Sequence, residues 1–261
     1  MKLIHSDKVL LQQNSNILEN PGIAIRLGQL IGTPMEKALT ALPANWSEII
    51  ETITKTALNK AIDSALLTLD NQHTNPASNS THKLLAGLSG AVGGTFGLSA
   101  LAVELPISTT IMLRSIADIA RSEGEDIQSL ETKMACLEVF ALGGAQSPGD
   151  SSDTVYYAVR SLISRSMSDS AAYIAQKGLS KDGAPALIKV LNIVASRFHI
   201  PVSQKLAAQS VPAIGAIGGA SVNLIFMSHF QDMARAHFSI RKLERTYGAD
   251  VIRHAYQQIT D

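Results

Sequence analysis

Residues 84–103 read LLAGLSGAVGGTFGLSALAV, twenty positions without an Asp, Glu, Lys or Arg. A run of that length matches the apolar thickness of a bilayer, yet it is studded with glycines, and glycine inside a helix costs about 1 kcal/mol relative to alanine. Gly90, Gly93, Gly94 and Gly97 therefore point to a close helix contact or to deliberate looseness. Gly93-x-x-x-Gly97 puts two positions without side chains on one helix face, where a neighbouring helix comes near. Such a segment lies against something apolar, either the protein's own core or a membrane.

A second stretch repeats the pattern. No formally charged residue occurs between Lys205 and Asp232, and Lys83 laid onto Lys205 brings Ala86 onto Ala208, Ala91 onto Ala213, Gly93 onto Gly215 and Gly97 onto Gly219. After a two-residue insertion, Gly124-Glu125-Asp126 meets Gly248-Ala249-Asp250. Residues 83–126 and 205–250 thus read as two copies of one unit: a glycine-rich apolar helix, a break, an amphipathic helix and a Gly-x-Asp stop. In the first copy Glu104-Leu105-Pro106 supplies the break, with Pro106 opening a new helix that ends near Gly124. The expected fold is all-α, a helical bundle with two glycine-rich apolar hairpins.

Outward from these segments, the remaining elements also read as helices. Residues 1–44 form an N-terminal arm closing a first helix at Pro21-Gly22, and residues 45–261 form the helical domain. Asn45-Trp46-Ser47-Glu48 has the form of a capping box for a helix to about Asp70, whose apolar stripe runs through Ile49, Ile53, Ala57 and Ala61 with Ile50, Leu58 and Ile62 beside it. Polar residues 71–82 read as a linker. Further helices are expected over 127–142, ending at Gly143-Gly144, from about Val155 behind a cap at Ser152 or Asp153, and over 184–198, with His199-Ile200-Pro201 breaking the chain. The β-branched residues recur with helical spacing, so no strand is expected.

The chain is 46% hydrophobic and only 17% charged, against roughly 25% charged in ordinary soluble proteins. Its formal net charge is zero, so there is no basic field to hold a nucleic acid by counterion release. A neutral, apolar-rich chain favours association, with copies of itself or with a membrane surface. Cys136, the one cysteine, excludes an intrachain disulfide and reads as a small buried hydrophobe within MACLEVFAL. The start carries Asp7 and polar residues where a secretory leader needs an apolar core, and the cytoplasm, at most the membrane's cytoplasmic face, is the expected location.

The run AGLSGAVGGTFGLSALAVELPISTTIMLRSIADIARSEGED, followed about 120 residues later by VPAIGAIGGASVNLIFMSHFQDMARAHFSIRKLERTYG, resembles the EcsC family of bacterial proteins. The family's acidic-x-Pro turn stands here as Glu104-Leu105-Pro106, where Asp is commoner, and its Pro-x-x-Gly-x-x-x-Gly with a following Asn stands as Pro212, Gly215, Gly219 and Asn223. The resemblance covers most of the chain from about residue 45. It implies an accessory role near a membrane transporter, and it brings no established catalytic residue.

Gly87-x-Ser89 lacks the strand a nucleophile elbow needs, and there is neither a dinucleotide fingerprint nor a phosphate loop, so no cofactor is expected. Glu104, an acid beside twenty uncharged residues, is costly to bury without a mate. His229 and Asp232, three apart on one helix face, could join it in an acid/base site of hydrolase type; the alternative is that Glu104 caps the helix at Pro106 and the other two lie at a polar edge. Arg235, Arg241, Lys242 and Arg245 give the last third a mild basic face, suited to anionic lipid head groups or simply to water. The leading expectation is a non-enzymatic, membrane-proximal helical protein handling lipid or assisting transport, with an enzyme or a soluble interaction module as alternatives.

Overall fold

The computed structural model describes residues 3–20, 22–43, 45–65, 97–144, 154–168, 185–211 and 215–260. Every regular element among them is a helix, as the spacing predicts. Three short helices come first: α1 (His5–Glu19), α2 (Ile23–Ile31) and α3 (Met35–Thr40). Then follow α4 (Trp46–Ala65), α5 (Gly97–Ser122), α6 (Leu130–Leu142), α7 (Val155–Ser168), α8 (Pro185–Gln209), α9 (Gly215–Tyr247) and α10 (Ala249–Thr260).

The centre of the molecule is α6. Every residue from Met134 to Leu142 is buried, and a helix apolar on all sides has nowhere to go but the middle. Ser129 starts it by accepting from the Thr132 backbone N–H at 3.1 Å, a cap two to three residues later than the expected start. Around it pack α5, α7, α8 and α9. Phe140 of α6 meets Phe198 of α8 and Phe230 of α9, with ring centroids 4.8 and 5.4 Å away. The stripe of α4 is buried through Ile50, Thr54, Ala57, Leu58 and Ala61, turned slightly from the expected centre because Ile49 and Ile53 are only half-buried.

The N-terminal residues set apart as an arm contribute Leu11, Leu18 and Leu27 to the same core. Glu19, the last residue of α1, also accepts from the backbone N–H groups of Val155 and Tyr156 at 3.0 and 3.3 Å. It caps α7 from another helix; Ser152 and Asp153, the expected caps, lie outside the described residues.

Two breaks expected at prolines are absent. Helix α5 runs unbroken through Pro106, and α8 runs unbroken through Pro201. A proline removes one N–H and frees the carbonyl four residues earlier. Ala102, whose carbonyl loses its donor, is exposed. The counterpart for Pro201 is the Arg197 carbonyl, against which the α6 terminus closes so tightly that a Cβ on Gly144 would come within 2.7 Å of it. From Gly97 and from Gly215 onward the chain accordingly continues as one helix into each amphipathic partner, with no hairpin turn within 97–122 or 215–247. The stops do fall where the sequence places them: Gly124 and Gly248 take φ of 86° and 94°, a region open to glycine at little cost.

Candidate functional site

Glu104 projects from α5 into the interior and finds its mates there. Lys205 Nζ of α8 donates to Glu104 Oε1 at 2.6 Å and Asn223 Nδ2 of α9 donates to the same oxygen at 2.9 Å. Lys205 is 0% exposed, and its ammonium also sits 5.0 Å from the Phe226 ring centroid, where the ring's negative face attracts it. Burial pushes the Glu104 carboxyl up, but the Lys205 charge and the two donated hydrogen bonds outweigh it and hold the group below the ordinary carboxylate value. The two halves of the sequence motif therefore touch: the acid of the acidic-x-Pro segment is clasped by the asparagine that follows the glycines. Glu104 is a charge partner inside a continuous helix, not the cap of a new one at Pro106.

The three residues considered as an acid/base set have separate partners. His229 Nε2 lies 3.1 Å from the Gly143 carbonyl, and burial lowers its pKa to about 4 despite that bond, so the ring is neutral and donates. Asp232 is bound by Arg235 at 2.8 Å and by Arg26 at 3.2 Å, at the surface. Glu104, His229 and Asp232 thus serve three distinct contacts. Pro106 and Gly219 are buried, and Gly97 and Gly215 open α5 and α9; Gly90, Gly93, Gly94 and Pro212 lie outside the described residues.

The expected basic face is neutralised. Arg241 is held by Glu125 and Glu131, with Nε–Oε1 and Nη2–Oε1 distances of 2.9 Å each. Lys242 pairs with Glu123 at 3.1 Å, Arg245 pairs with Glu125, and Arg235 with Asp232. Glu123, Glu125 and Glu131 sit on the loop after α5 and the first turn of α6, far away in sequence, and Asp232 lies on α9 itself, so each of the four cations faces an acid.

A second buried network was not foreseen. Glu138 is the lone acid on the inner stretch of α6, 8% exposed. Arg160 of α7 forks onto Glu244 of α9 at 2.7 and 3.0 Å and reaches the Tyr156 hydroxyl at 3.1 Å. Tyr156 in turn lies 3.2 Å from His237 Nδ1. With its hydroxyl accepting from Arg160, Tyr156 donates to Nδ1, which places the ring proton on Nε2, facing Glu138 Oε2 at 3.6 Å. Burial pushes the Glu138 carboxyl up to about 7 although Arg160 and Arg241 pull it down, and burial drives His237 well below its ordinary value, with the same two arginines adding to the effect. The network borders a cleft of about 770 Å³ between α6 and α7.

A different kind of surface lies on α5. Val103 is 67% exposed and Ile107, one turn on, 49%. Both line a shallow cleft of about 680 Å³ with Lys60 of α4 and Arg114 at its edge. Val103 is also the last residue of the uncharged run 84–103. No helix among the described residues is long and apolar enough to cross a membrane, and no group of three His, Cys, Asp or Glu among them could hold a metal ion.

No curated protein and no solved structure matches the chain. A family match reaches further toward the N-terminus than the motifs alone, and it takes in most of α1 and all of α2 and α3. Over residues 11–243 the sequence fits the EcsC protein family, and the chain belongs to that family.

Proposed function

We propose that this EcsC family member is a non-enzymatic helical protein that works on the cytoplasmic face of a membrane, lying on the bilayer and assisting lipid handling or a membrane-embedded transporter. The observation that carries this reading is the exposed Val103–Ile107 step of α5. Two β-branched apolar side chains in water, continuous with twenty uncharged positions and edged by Lys60 and Arg114, have the composition of an interfacial helix rather than a spanning one. Burying each apolar side chain is worth about 1.5–3 kcal/mol, and each basic residue near an anionic surface adds about 1 kcal/mol. Those magnitudes give reversible attachment.

Flotation with vesicles of phosphatidylcholine and phosphatidylglycerol tests the proposal. The full chain rises with the vesicles, and the variant Val103→Asp/Ile107→Asp, altered only at exposed positions, stays behind. A wild-type chain that remains at the bottom of the gradient defeats the reading and leaves the soluble interaction module in its place.

A further inference from the structure

The cleft between α6 and α7 shares no residue with the α5 surface, and its wall holds hydrogen-bonding capacity that the fold does not use. Ser161, Ser164 and Arg165 border it, on successive turns of α7, and none of the three has a hydrogen-bond or ion-pair partner among the described residues. Arg241, from α9, spends Nε and Nη2 on Glu125 and Glu131 and keeps Nη1. Leu130 and Met134 of α6 and Ile163 of α7 supply the apolar part of the lining. At about 770 Å³ the cleft is within the usual range for small-molecule sites.

All the unspent groups can donate, the two serine hydroxyls among them, and the charge they carry, on Arg165 and Arg241, is positive. A cation would be repelled by the two guanidinium groups, and the acids that border the cleft are committed, Glu131 to Arg241 and Glu138 to the interior. The complement is a ligand that only accepts, and charge-assisted hydrogen bonds to guanidinium are the strong ones. We propose that this cleft binds a small amphiphilic anion, a carboxylate or phosphate ester on a short apolar chain, with its head group on Arg165, Ser164 and the Nη1 edge of Arg241 and its chain along Leu130, Met134 and Ile163.

Glu138 gives the site a pH signature. It faces Arg160 from α7, Arg241, His237 and Glu244 from α9, and Glu131 on its own helix. A carboxyl in that position titrates near neutrality, and an anion seated above it favours the protonated form. Binding therefore takes up a proton and strengthens as pH falls through about 7.

Titration calorimetry on the full chain decides the matter, with octanoate, octyl phosphate, octylamine, 1-octanol, acetate and inorganic phosphate as probes. Octanoate or octyl phosphate is expected to bind about tenfold or more tightly than the amine, the alcohol and the two tail-less anions, one factor of ten being about 1.4 kcal/mol. If both bind, the site accepts either head group; if one, that head group is the one selected. Arg165 is exposed, so Arg165→Gln leaves the fold intact, and it should weaken the preferred anion by about fivefold or more. Octanoate, ionised throughout this range, binds more tightly at pH 6 than at pH 8, and Glu138→Gln removes the difference. Equal affinity for octanoate and octanol, equal affinity for octanoate and acetate, an Arg165→Gln variant indistinguishable from wild type, or binding that strengthens with rising pH overturns the proposal.

Discussion

Lys205 and Glu104 are both out of reach of water, and each is tolerated only because the other is there. Removing one partner of such a pair strands a buried charge and costs about 3–5 kcal/mol, whereas replacing both can be neutral. Lys205→Met alone should therefore lower the unfolding free energy in urea by about that amount, and Glu104→Gln/Lys205→Met, which keeps an acceptor for Asn223, should recover most of it. Because the Glu104 carboxyl is held below its unfolded value, its contribution is present above about pH 4.3 and fades as pH falls through the folded value. Glu138 has the opposite sign. Between the ordinary glutamate value and about 7 the folded chain keeps a proton that the unfolded chain has released, so this residue makes stability fall as pH rises through that window and level off above it. Glu138→Gln should gain on wild type by about 1–3 kcal/mol from pH 5 to pH 8 in urea denaturation. A difference that does not change between the two pH values contradicts a protonated, buried Glu138.

At the scale of the element, helices were legible where one segment decides its own fate and illegible where a distant segment decides it. The buried stripe of α4, the all-round burial of α6 and the stops at Gly124 and Gly248 follow from spacing and from backbone conformations that glycine alone adopts easily. The prolines misled because the local rule counts a lost donor and cannot see that Ala102 is exposed to water or that α8 is packed along its length against α4, α6 and α7. The cap of α7 is equally non-local, since Glu19 stands 136 residues before Val155. It also accepts from the Tyr256 hydroxyl at 2.8 Å, so one carboxylate ties α1, α7 and α10 together. Glu19→Ala should cost about 1–2 kcal/mol, the range for a lost cap, with hydrogen exchange rising first at the start of α7. Protection unchanged at Val155 and Tyr156 would show that the cap is made by something else.

For the whole molecule, the site was half-written in the sequence. Glu104 was conspicuous as an acid beside an uncharged run that required a mate, but nothing local named Lys205, 101 residues on. Glu138 was visible too, the one acid between Met134 and Gly144, and passed as part of an apolar stretch because the groups it faces, Arg160 and His237, come from two other helices. The pairing of the basic face is non-local in the same way: the acids that hold Arg241 and Lys242 lie more than 100 residues upstream. What remains after these internal pairings is a neutral helical body with an apolar step on α5, which is the basis for placing the protein on a membrane. Cys136, the one cysteine in the chain, is buried, so a nitroxide can be directed to position 103 through Val103→Cys. With anionic vesicles present, the label should gain collisions with oxygen and lose collisions with a water-soluble nickel complex. A label whose exposure to both is unchanged by the vesicles contradicts the membrane-contact account.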